Sequence, residues 1–314
     1  MSDDAHPALL RGWRTRSLRP LRRVRAEASA PASALEIRLP RARPRLGRGR
    51  RRVSFEREAD VAREAALAGG EVIRRHDSAE RRASWEKSDD NPVTAADLEA
   101  NSAIAAVLRA EFPGDAVLSE ETADSAGRLS AERVWIVDPL DGTKEFVEGV
   151  PQFAVSIALA VRGRPVAACV YQPSTRECFH ARSGGGAWLG SERLAVSSVE
   201  TLSKSVMLSS RTEMKRGEIE VYRELFARIE PVGSVALKLA LVAAARADLW
   251  ISAAPKSEWD VCAGDLIVRE AGGTFLELSR GERRYNQADV LLHPLLAAGP
   301  KRLVEEFRRR TCKG

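Results

Sequence analysis

Acidic residues in four short segments are the side chains of this chain best suited to metal chemistry. They are Asp97 in NPVTAAD, Glu120 and Glu121 in LSEE, Asp138 and Asp141 in WIVDPLDGT, and Asp260 in SEWD. Taken singly, each segment has a purely structural explanation, such as a capped turn, a solvated loop or a helix cap. Carboxylate oxygens are hard ligands that suit Mg²⁺ or Ca²⁺ rather than zinc. Their joint occurrence therefore predicts an oxygen-lined cation site.

The segment around Asp138 has the form of a turn that carries ligands. The apolar run Val134–Val137 predicts a buried strand that ends at Asp138, and the proline after it stops a helix or strand ladder from continuing. Gly142 permits a tight turn. The two aspartates, three residues apart, can then converge on one point together with the carbonyl of Leu140. Thr143 comes next, where its hydroxyl could hold a water and a helix start could present N–H groups to a phosphate.

The hydrophobic pattern predicts the elements that must hold these residues. Two amphipathic helices are predicted ahead of the turn, at 56–75 and 95–112, with an irregular polar stretch at 76–91 between them. After the turn, the pattern predicts β-hairpins at 153–171 and 177–189, the second around a triple glycine. Hairpins of this kind indicate a largely antiparallel sheet in the first half of the chain.

The second half of the chain mixes strands and helices without strict alternation. Strands are predicted at 205–209, 249–252 and 274–278, and helices at 218–229, 234–245, 259–270 and 303–310. This pattern favours a layered α+β fold over a doubly wound parallel sheet. We divide the chain into an extension at 1–54 and a folded domain at 55–314, whose halves cover about 55–198 and 199–314.

The N-terminal extension carries the basic character of the chain. Residues 1–55 hold 15 Arg, no Lys and 4 acidic residues, a charge of +11, whereas residues 56–314 hold 35 basic and 40 acidic residues, a charge of −5. An Arg- and Pro-rich segment without a hydrophobic period cannot bury enough apolar surface to offset its ordering entropy, so we predict disorder. A basic tail, a targeting peptide and a start-site artefact all remain open explanations.

Other catalytic classes find little support in the sequence. The four cysteines are scattered and form no C-x-x-C pair, which predicts reduced thiols rather than a zinc site or disulfide framework. The four histidines lie outside the acidic segments, and no G-x-S-x-G or Walker sequence is present. No apolar run is long enough to predict a membrane span, and we expect a cytoplasmic protein.

Taken together, the acidic segments resemble the signature motifs of the inositol monophosphatase superfamily. The matching stretches are NPVTAAD (91–97) after Lys87, LSEE (118–121), WIVDPLDGT (135–143) and WDVCAGDLIVREAGG (259–273). The resemblance covers about residues 55–300 and has no counterpart for the extension. It implies a layered αβαβα sandwich of the inositol monophosphatase and fructose-1,6-bisphosphatase type, and hydrolysis of phosphate esters with magnesium.

The resemblance also implies a role for each matching residue. Two or three Mg²⁺ ions would be held by Glu120, Asp138, the Leu140 carbonyl, Asp141 and Asp260. Thr143, paired with Asp97 or Glu120, would orient the attacking water and help to remove its proton. The backbone amides of Gly142 and Thr143 would bind the phosphate, and Asp260 would also contact substrate.

The residues after the metal turn distinguish branches of this superfamily. The form DGTKEF, with Lys144, Glu145 and Phe146, resembles the 3′(2′),5′-bisphosphate nucleotidases, whereas inositol monophosphatases more typically carry Thr-Asn there. The stretches SSRT (209–212) and SVALK (234–238) resemble the same branch, and by charge Arg211 and Lys238 are candidate contacts to a second phosphate. The first substrate prediction is therefore the 3′-phosphate of adenosine 3′,5′-bisphosphate or its phosphosulfate.

The sequence is also compatible with two other functions. An inositol monophosphatase or broad sugar-phosphate phosphatase would use the same metal site. A nucleic-acid-binding protein driven by the Arg-rich tail is the remote alternative, and would show salt-dependent binding. Otherwise we expect a small-molecule phosphate ester as the partner, no membrane or nucleic acid, and a monomer or homodimer.

Overall fold

The computed structural model describes residues 54–77, 84–88 and 91–312. The prediction made for residues 1–54 falls almost entirely outside this part of the chain. The helices of the described residues are α1 (Glu56–His76), α2 (Ala95–Glu111), α3 (Thr143–Val147), α4 (Arg211–Lys215), α5 (Val235–Ala243), α6 (Glu258–Glu270) and α7 (Lys301–Thr311). Short 3₁₀ turns lie at Ala126–Ser130, Leu202–Lys204 and Glu220–Leu225.

The strands fall into two main sheets and two short pairs. The first sheet holds β3 (Ala116–Ser119), β4 (Arg133–Asp141), β5 (Ala154–Val161), β6 (Arg164–Gln172), β7 (Glu177–Arg182), β8 (Gly186–Leu189) and β9 (Glu192–Arg193). The second holds β10 (Val206–Ser209), β11 (Arg228–Pro231), β12 (Leu249–Ser252), β14 (Thr274–Glu277) and β16 (Leu296–Gly299). The pairs join β1 (Ser84–Ser88) to β2 (Asn91–Thr94) and β13 (Lys256–Ser257) to β15 (Leu291–Leu292).

Strand order separates the two sheets clearly. The first sheet runs β3 to β9 in sequence order and is antiparallel except for the parallel pair β3 and β4. The second has the order β11-β10-β12-β16-β14, with its first three strands parallel. The strands of the first sheet all precede residue 198, and those of the second all follow it.

Helices cover both faces of each sheet and produce five layers. Helices α1 and α2 pack on one face of the first sheet around Trp135 and Ile157. Helices α5 and α6 lie between the two sheets and share the largest core with both. Helix α7 covers the outer face of the second sheet through Phe307. The predicted layered αβαβα sandwich is therefore confirmed.

Close packing of α5 on α6 depends on a glycine. Gly264 faces Leu239, and a Cβ added at Gly264 would lie 2.4 Å from the Leu239 side chain. The two helices can therefore approach closely only because this position has no side chain. Between two sheets, α5 is buried on every side, from Ala236 to Ala243.

Sequence signals place the helix ends. The first turn of α1 holds Glu56 and Glu58, and its last turn holds Arg74 and Arg75, as the helix dipole favours. Helix α2 starts with a capping box in which Thr94 and Asp97 exchange hydrogen bonds, and α6 starts with a second one formed by its N-cap serine. The hydrophobic pattern and the N-cap residues together explain why α2 and α6 begin within the segments that carry Asp97 and Asp260.

Two predicted elements were wrong. The helix predicted at 218–229 is a 3₁₀ turn followed by strand β11, which adds to the edge of the second sheet with Ile229 opposite Met207. The apolar spacing matched a helix, but pairing with β10 overrides that local preference. The stretch 76–91 was predicted to be irregular, whereas residues 84–88 form a strand that pairs with 91–94. None of the described helices is long and apolar enough to span a bilayer.

The C-terminal end of α5 generates a stability prediction. Ala245 has φ 53° in a Schellman motif, where Arg246 N–H donates to Leu241 O and Ala245 N–H to Val242 O. Glycine is preferred at this position because a Cβ is strained there. We expect Ala245→Gly to raise the free energy of unfolding by about 0.5 to 1 kcal/mol in urea melts.

The neighbouring residue provides the control for this prediction. Ala244 has φ −88°, so Ala244→Gly relieves no strain and is expected to lower stability through the added freedom of the unfolded chain. Equal destabilisation by both substitutions would contradict the prediction.

Candidate metal centre

The parallel pair β3 and β4 places Glu120 beside Asp138. Ser119 lies opposite Val137 in the register of the two strands, and Glu120 N–H donates to Val137 O at 3.2 Å. Because parallel strands end at the same edge of a sheet, the residue after β3 meets the last residues of β4. The next residue, Glu121, also lies near the site. Burial raises the pKa of Asp97, and the charge of Glu121 raises it further.

The turn at the end of β4 has the predicted shape. Asp138 Oδ1 accepts a hydrogen bond from Leu140 N–H at 3.0 Å. Gly142 has φ 98°, and a Cβ at this position would lie 3.0 Å from the Gln152 carbonyl oxygen. A glycine is therefore required both for the backbone conformation and for the close approach of the next segment. Helix α3 then begins at Thr143, as predicted.

Asp141 connects this turn to the start of α5. Its Oδ2 accepts hydrogen bonds from Ser234 Oγ at 2.7 Å and Ala236 N–H at 2.6 Å. Ser234 is also the N-cap of α5, since its Oγ accepts from Leu237 N–H at 3.0 Å. Ser234 has φ 54°, a conformation that costs free energy for a residue with a Cβ. One carboxylate thus ties the metal turn of the first sheet to the helix layer behind it.

Asp260 lies in the first turn of α6. Its Oδ2 accepts from Ser257 N–H at 2.8 Å, which completes the capping box of that helix. Nearby, Ser156 Oγ on β5 donates to the carbonyl of Trp259 at 3.0 Å and holds the helix start against the first sheet. Asp260 therefore has a structural role through one oxygen, while its other oxygen accepts no hydrogen bond from the described residues.

Asp97 and Thr143 form a hydrogen-bonded pair. Thr143 Oγ1 lies 2.9 Å from Asp97 Oδ1 and 3.0 Å from the Leu140 carbonyl oxygen, so its proton can be donated to either acceptor. The other carboxylate oxygen of Asp97 accepts from Thr94 N–H at 2.7 Å and Thr94 Oγ1 at 2.6 Å. The sequence predicted Asp97 or Glu120 as the partner of Thr143. Among the hydrogen bonds of the described residues, Thr143 pairs with Asp97.

The N-terminal ends of several helices meet at these carboxylates. Asp97, Thr143 and Asp260 occupy the first turns of α2, α3 and α6, and the first turn of α5 donates directly to Asp141. Helix N-termini carry partial positive charge and unpaired N–H groups. These partial positive charges offset part of the repulsion among the carboxylates. The negative charge that remains favours the binding of a cation.

The remaining repulsion appears in the pKa values of the site. Burial raises the pKa of Asp138 well above the usual aspartate range, and the charges of Glu120, Asp141 and Asp260 raise it further. Burial, followed by the charges of Asp141 and Glu120, raises the pKa of Asp260 to about 8. Without a counter-ion, these groups therefore resist ionisation together at neutral pH.

The donor set fits a hard cation such as Mg²⁺. Asp138, Asp141 and Asp260 each have one oxygen committed to a backbone or hydroxyl donor, while the other accepts no hydrogen bond from the described residues. Among those residues, no three Asp, Glu, His or Cys side chains already stand at the spacing of a formed metal site. The carboxylate oxygens are a ligand type that matches magnesium rather than zinc.

The two predicted phosphate-binding cations are engaged within the protein. Arg211 is 36% exposed at its side chain and pairs with Glu145 at 3.2 Å and Glu148 at 2.8 Å. Lys238 is only 2% exposed, and its Nζ donates to the Val232 carbonyl at 2.9 Å. Burial lowers the pKa of Lys238 to about 8 against the opposing effect of nearby carboxylates. Arg211 remains accessible at the surface, whereas Lys238 lies beneath it.

Sequence reasoning missed Glu213 and Ser252, which organise this region. Glu213 is buried and accepts hydrogen bonds from Ser252 Oγ and Ala254 N–H, with Lys256 Nζ at 3.3 Å. Glu145 lies between the metal turn and Arg211. A lone Glu or Ser gives no signal in a single sequence, and only Glu145, within the TKEF stretch, was marked by a motif.

Comparison with known proteins identifies the family. The model of the inositol monophosphatase family matches residues 55–311, so the chain belongs to that family. A curated relative, the Nus factor SuhB of Vibrio cholerae, is 34% identical over 253 residues, which are 78% of this chain and 93% of the relative.

Solved structures agree with this assignment. The extragenic suppressor protein suhB of Bartonella henselae is 30% identical, with a TM-score of 0.73 over 82% of this chain and 100% of that one. CysQ of Bacteroides thetaiotaomicron, described as a bacterial member of the inositol monophosphatase family, is 32% identical, with a TM-score of 0.65 over 79% and 98%. These similarities support the inositol monophosphatase family as a whole and do not favour the bisphosphate nucleotidase branch within it.

Membership fixes the coarse chemistry. Proteins of this family are phosphatases of small phosphate esters and are generally magnesium-dependent. The carboxylate cluster and the Asp97–Thr143 pair therefore lie in a chain of a magnesium-dependent phosphatase family.

The raised pKa values predict how the metal-free protein responds to pH. A carboxyl whose pKa is higher in the folded state binds its proton more tightly there, so stability is greatest at low pH and falls as the pH rises toward about 8, the value for Asp260. We expect the melting temperature in EDTA to decrease from about pH 5 to about pH 8, and to depend less on pH with saturating Mg²⁺.

Asp138→Asn serves as the matched variant. It removes one of the repelling charges, so in EDTA it should melt at a higher temperature than wild type at the upper end of that range and gain less from Mg²⁺. A lower melting temperature for Asp138→Asn in EDTA across the whole range would show that the charge is not destabilising.

Proposed function

We propose that this chain is a magnesium-dependent phosphomonoesterase that uses an activated water. The observation that carries the proposal is the Thr143–Asp97 hydrogen bond of 2.9 Å beside the buried carboxylates of the metal turn. This hydroxyl–carboxylate pair could accept the proton of a water bound at the cluster. Within the family, such a site requires neither a His nor a Cys nucleophile.

The metal ligands we propose are Glu120, Asp138, the Leu140 carbonyl, Asp141 and Asp260, and they would hold two or three Mg²⁺ ions. Magnesium, when bound, supplies positive charge that lowers the pKa of the attacking water and stabilises charge on the ester oxygens. Asp138, Asp141 and Asp260 each keep one oxygen that accepts no hydrogen bond from the described residues, which supports their part of this assignment.

Thr143 and Asp97 would hold the water and accept its proton. When Thr143 Oγ1 donates to Asp97, its lone pairs are left to accept a hydrogen bond from water. Burial raises the pKa of Asp97, which makes it a better proton acceptor than an exposed aspartate. The backbone amides of Gly142 and Thr143 lie at the start of α3, where first-turn N–H groups lack intrahelical acceptors and would bind the phosphate.

Substitution of Thr143 tests this role. Thr143→Val preserves the shape of the side chain but removes the hydroxyl, so kcat should fall by about 10²- to 10⁴-fold with little change in KM. Thr143→Ser keeps the hydroxyl and is expected to retain most of the activity. Equal losses in the two variants would indicate a packing role instead.

The substrate we propose is a nucleoside bisphosphate, with hydrolysis of the 3′-phosphate of adenosine 3′,5′-bisphosphate or its phosphosulfate. The TKEF and SSRT stretches, both typical of the nucleotidase branch, contact each other through the Glu145–Arg211 ion pair. Arg211 is exposed enough to exchange these carboxylates for a second phosphate, which it would bind more strongly in bidentate geometry.

Lys256 is a better second cation than Lys238 for this substrate. Lys238 is buried and would stabilise Asp141 and Glu145 from below. Lys256 lies four residues before Asp260, is 14% exposed at its side chain, and is held by Glu213. We therefore transfer the proposed phosphate contact from Lys238 to Lys256, with Asp260 facing the substrate and the metal.

An inositol monophosphate or another sugar phosphate is the second candidate substrate. The observation in its favour is that Arg211 and Lys238 already have partners inside the protein, so a substrate with one phosphate would leave those contacts intact. A nucleic-acid partner is a further alternative. It would rest on the +11 charge of residues 1–55, outside nearly all of the described chain, and on relatives named Nus factor SuhB.

Phosphate release with three substrates separates these proposals. We expect Mg²⁺-dependent release from adenosine 3′,5′-bisphosphate to exceed release from inositol 1-phosphate, which has no second phosphate for Arg211 and Lys256, and from fructose 1,6-bisphosphate, which lacks the nucleoside. Asp138→Asn should abolish all three activities. Preference for inositol phosphate would keep the metal site and overturn the nucleotide proposal.

A further inference from the structure

A pair of cysteine side chains lies in contact between the first sheet and α1, away from the carboxylate cluster. Cys169 on β6 and Cys178 on β7 have their sulfur atoms 3.5 Å apart. In the strand register Cys169 faces His180 and Cys178 faces Tyr171, so the two cysteines are diagonal neighbours on one face of the sheet. They are 9 residues apart in sequence and meet because β6 and β7 pair.

The two thiols differ in exposure and surroundings. Cys169 is fully buried, whereas Cys178 is partly exposed at the start of its strand. Arg63 on α1 lies beside Cys178, and the Nε of Arg63 is buried without a hydrogen-bond partner among the described residues. A thiolate at Cys178 would supply an acceptor for that donor. The hydrogen bond from Cys169, more than the charge of Arg63, lowers the pKa of Cys178 to about 7.

We propose that Cys178 is a peroxide-reactive thiol and that Cys169 resolves it, forming a reversible disulfide between β6 and β7. The remaining cysteines lack this arrangement. Cys262 is buried in α6, and Cys312 is exposed, with no cysteine neighbour among the described contacts. Among the described residues, neither of them has a second thiol in contact, as Cys169 and Cys178 have in each other.

The chemistry requires a hydroperoxide as the oxidant. The Cys178 thiolate attacks the terminal oxygen of the hydroperoxide, the O–O bond breaks, and the alcohol (water from hydrogen peroxide) leaves. This step gives a sulfenic acid at Cys178. The sulfur of Cys169 then attacks the Cys178 sulfur, the S–O bond breaks, and hydroxide leaves as water with the proton of Cys169. Two thiols lose two electrons and two protons, and the peroxide is reduced.

The geometry also predicts that the bridge is readily reduced. Diagonal neighbours on antiparallel strands have Cα atoms about 7–8 Å apart, beyond the usual span of a disulfide. Closing the gap from 3.5 Å to a bond must therefore shift β6 against β7. Strained bridges of this kind have more oxidising potentials than structural disulfides, so a small dithiol should restore the thiols.

Peptide mapping after peroxide treatment tests the proposal. The full chain carrying Cys312→Ser is treated with hydrogen peroxide, unreacted thiols are blocked in denaturant, and the protein is digested with trypsin. Arg176 lies between the two cysteines, so their peptides separate unless a disulfide joins them. We expect one linked species that dithiothreitol separates. Free thiols at both positions, or bridges to Cys262 or between chains, would overturn the proposal.

Three variants assign the roles. Cys169→Ser keeps a hydroxyl donor beside Cys178 but cannot form the bridge, so the reaction should stop at a sulfenic acid on Cys178 that dimedone traps, and Cys178→Ser should leave Cys169 reduced. Arg63→Gln should slow alkylation of Cys178 by iodoacetamide at neutral pH a few-fold, while Arg57→Gln, which is also ion-paired on the same helix, with Glu111 instead of Asp60, should not. Circular dichroism checks that each variant is folded. Trapping at Cys169 instead of Cys178, or equal alkylation rates in the two Arg variants, would contradict the assignment.

Discussion

Mutual repulsion among buried carboxylates is the constraint around which this molecule is organised. Asp138 is 2% exposed and lies within the field of three other acidic residues. Several structural features offset this cost. The first turns of α2, α3, α5 and α6 all face the cluster, and backbone or hydroxyl donors bind one oxygen of each aspartate. The layered fold can therefore be understood as a way of aiming helix N-termini at one point.

Hydrogen bonds near this point also connect the layers. Asp141 reaches from the first sheet to α5, and Ser156 reaches from the same sheet to α6. Glu145, in α3 just after the turn at 138–142, accepts a hydrogen bond from Arg211. Arg211 is the first residue of α4, which follows strand β10 of the second sheet. The site is thus where the elements of the two halves are tied together, and a shift of either half would change the spacing of the carboxylates.

The sequence predicted the backbone turn at 138–143 well because its determinants are local. A strand, a proline and a glycine at fixed spacing specify the turn, and capping residues specify the helix starts. Contacts set by tertiary packing could not be found in this way. Lys238 was expected at the substrate because it is charged, but both faces of α5 are covered by sheets, so its ammonium is buried. The helix predicted at 218–229 failed for a related reason, since the edge of the second sheet offered Ile229 a strand partner.

The capping boxes of α2 and α6 give two of the site carboxylates a second duty. Asp97 and Asp260 hold the starts of their helices through one oxygen, whether or not a phosphate ester is ever hydrolysed. If a related protein lost catalysis, selection for folding would still retain both residues, whereas Thr143, which caps no helix, would be less constrained. Substitutions that accompany a loss of activity would then be found in the turn at 138–143 and not at the helix caps.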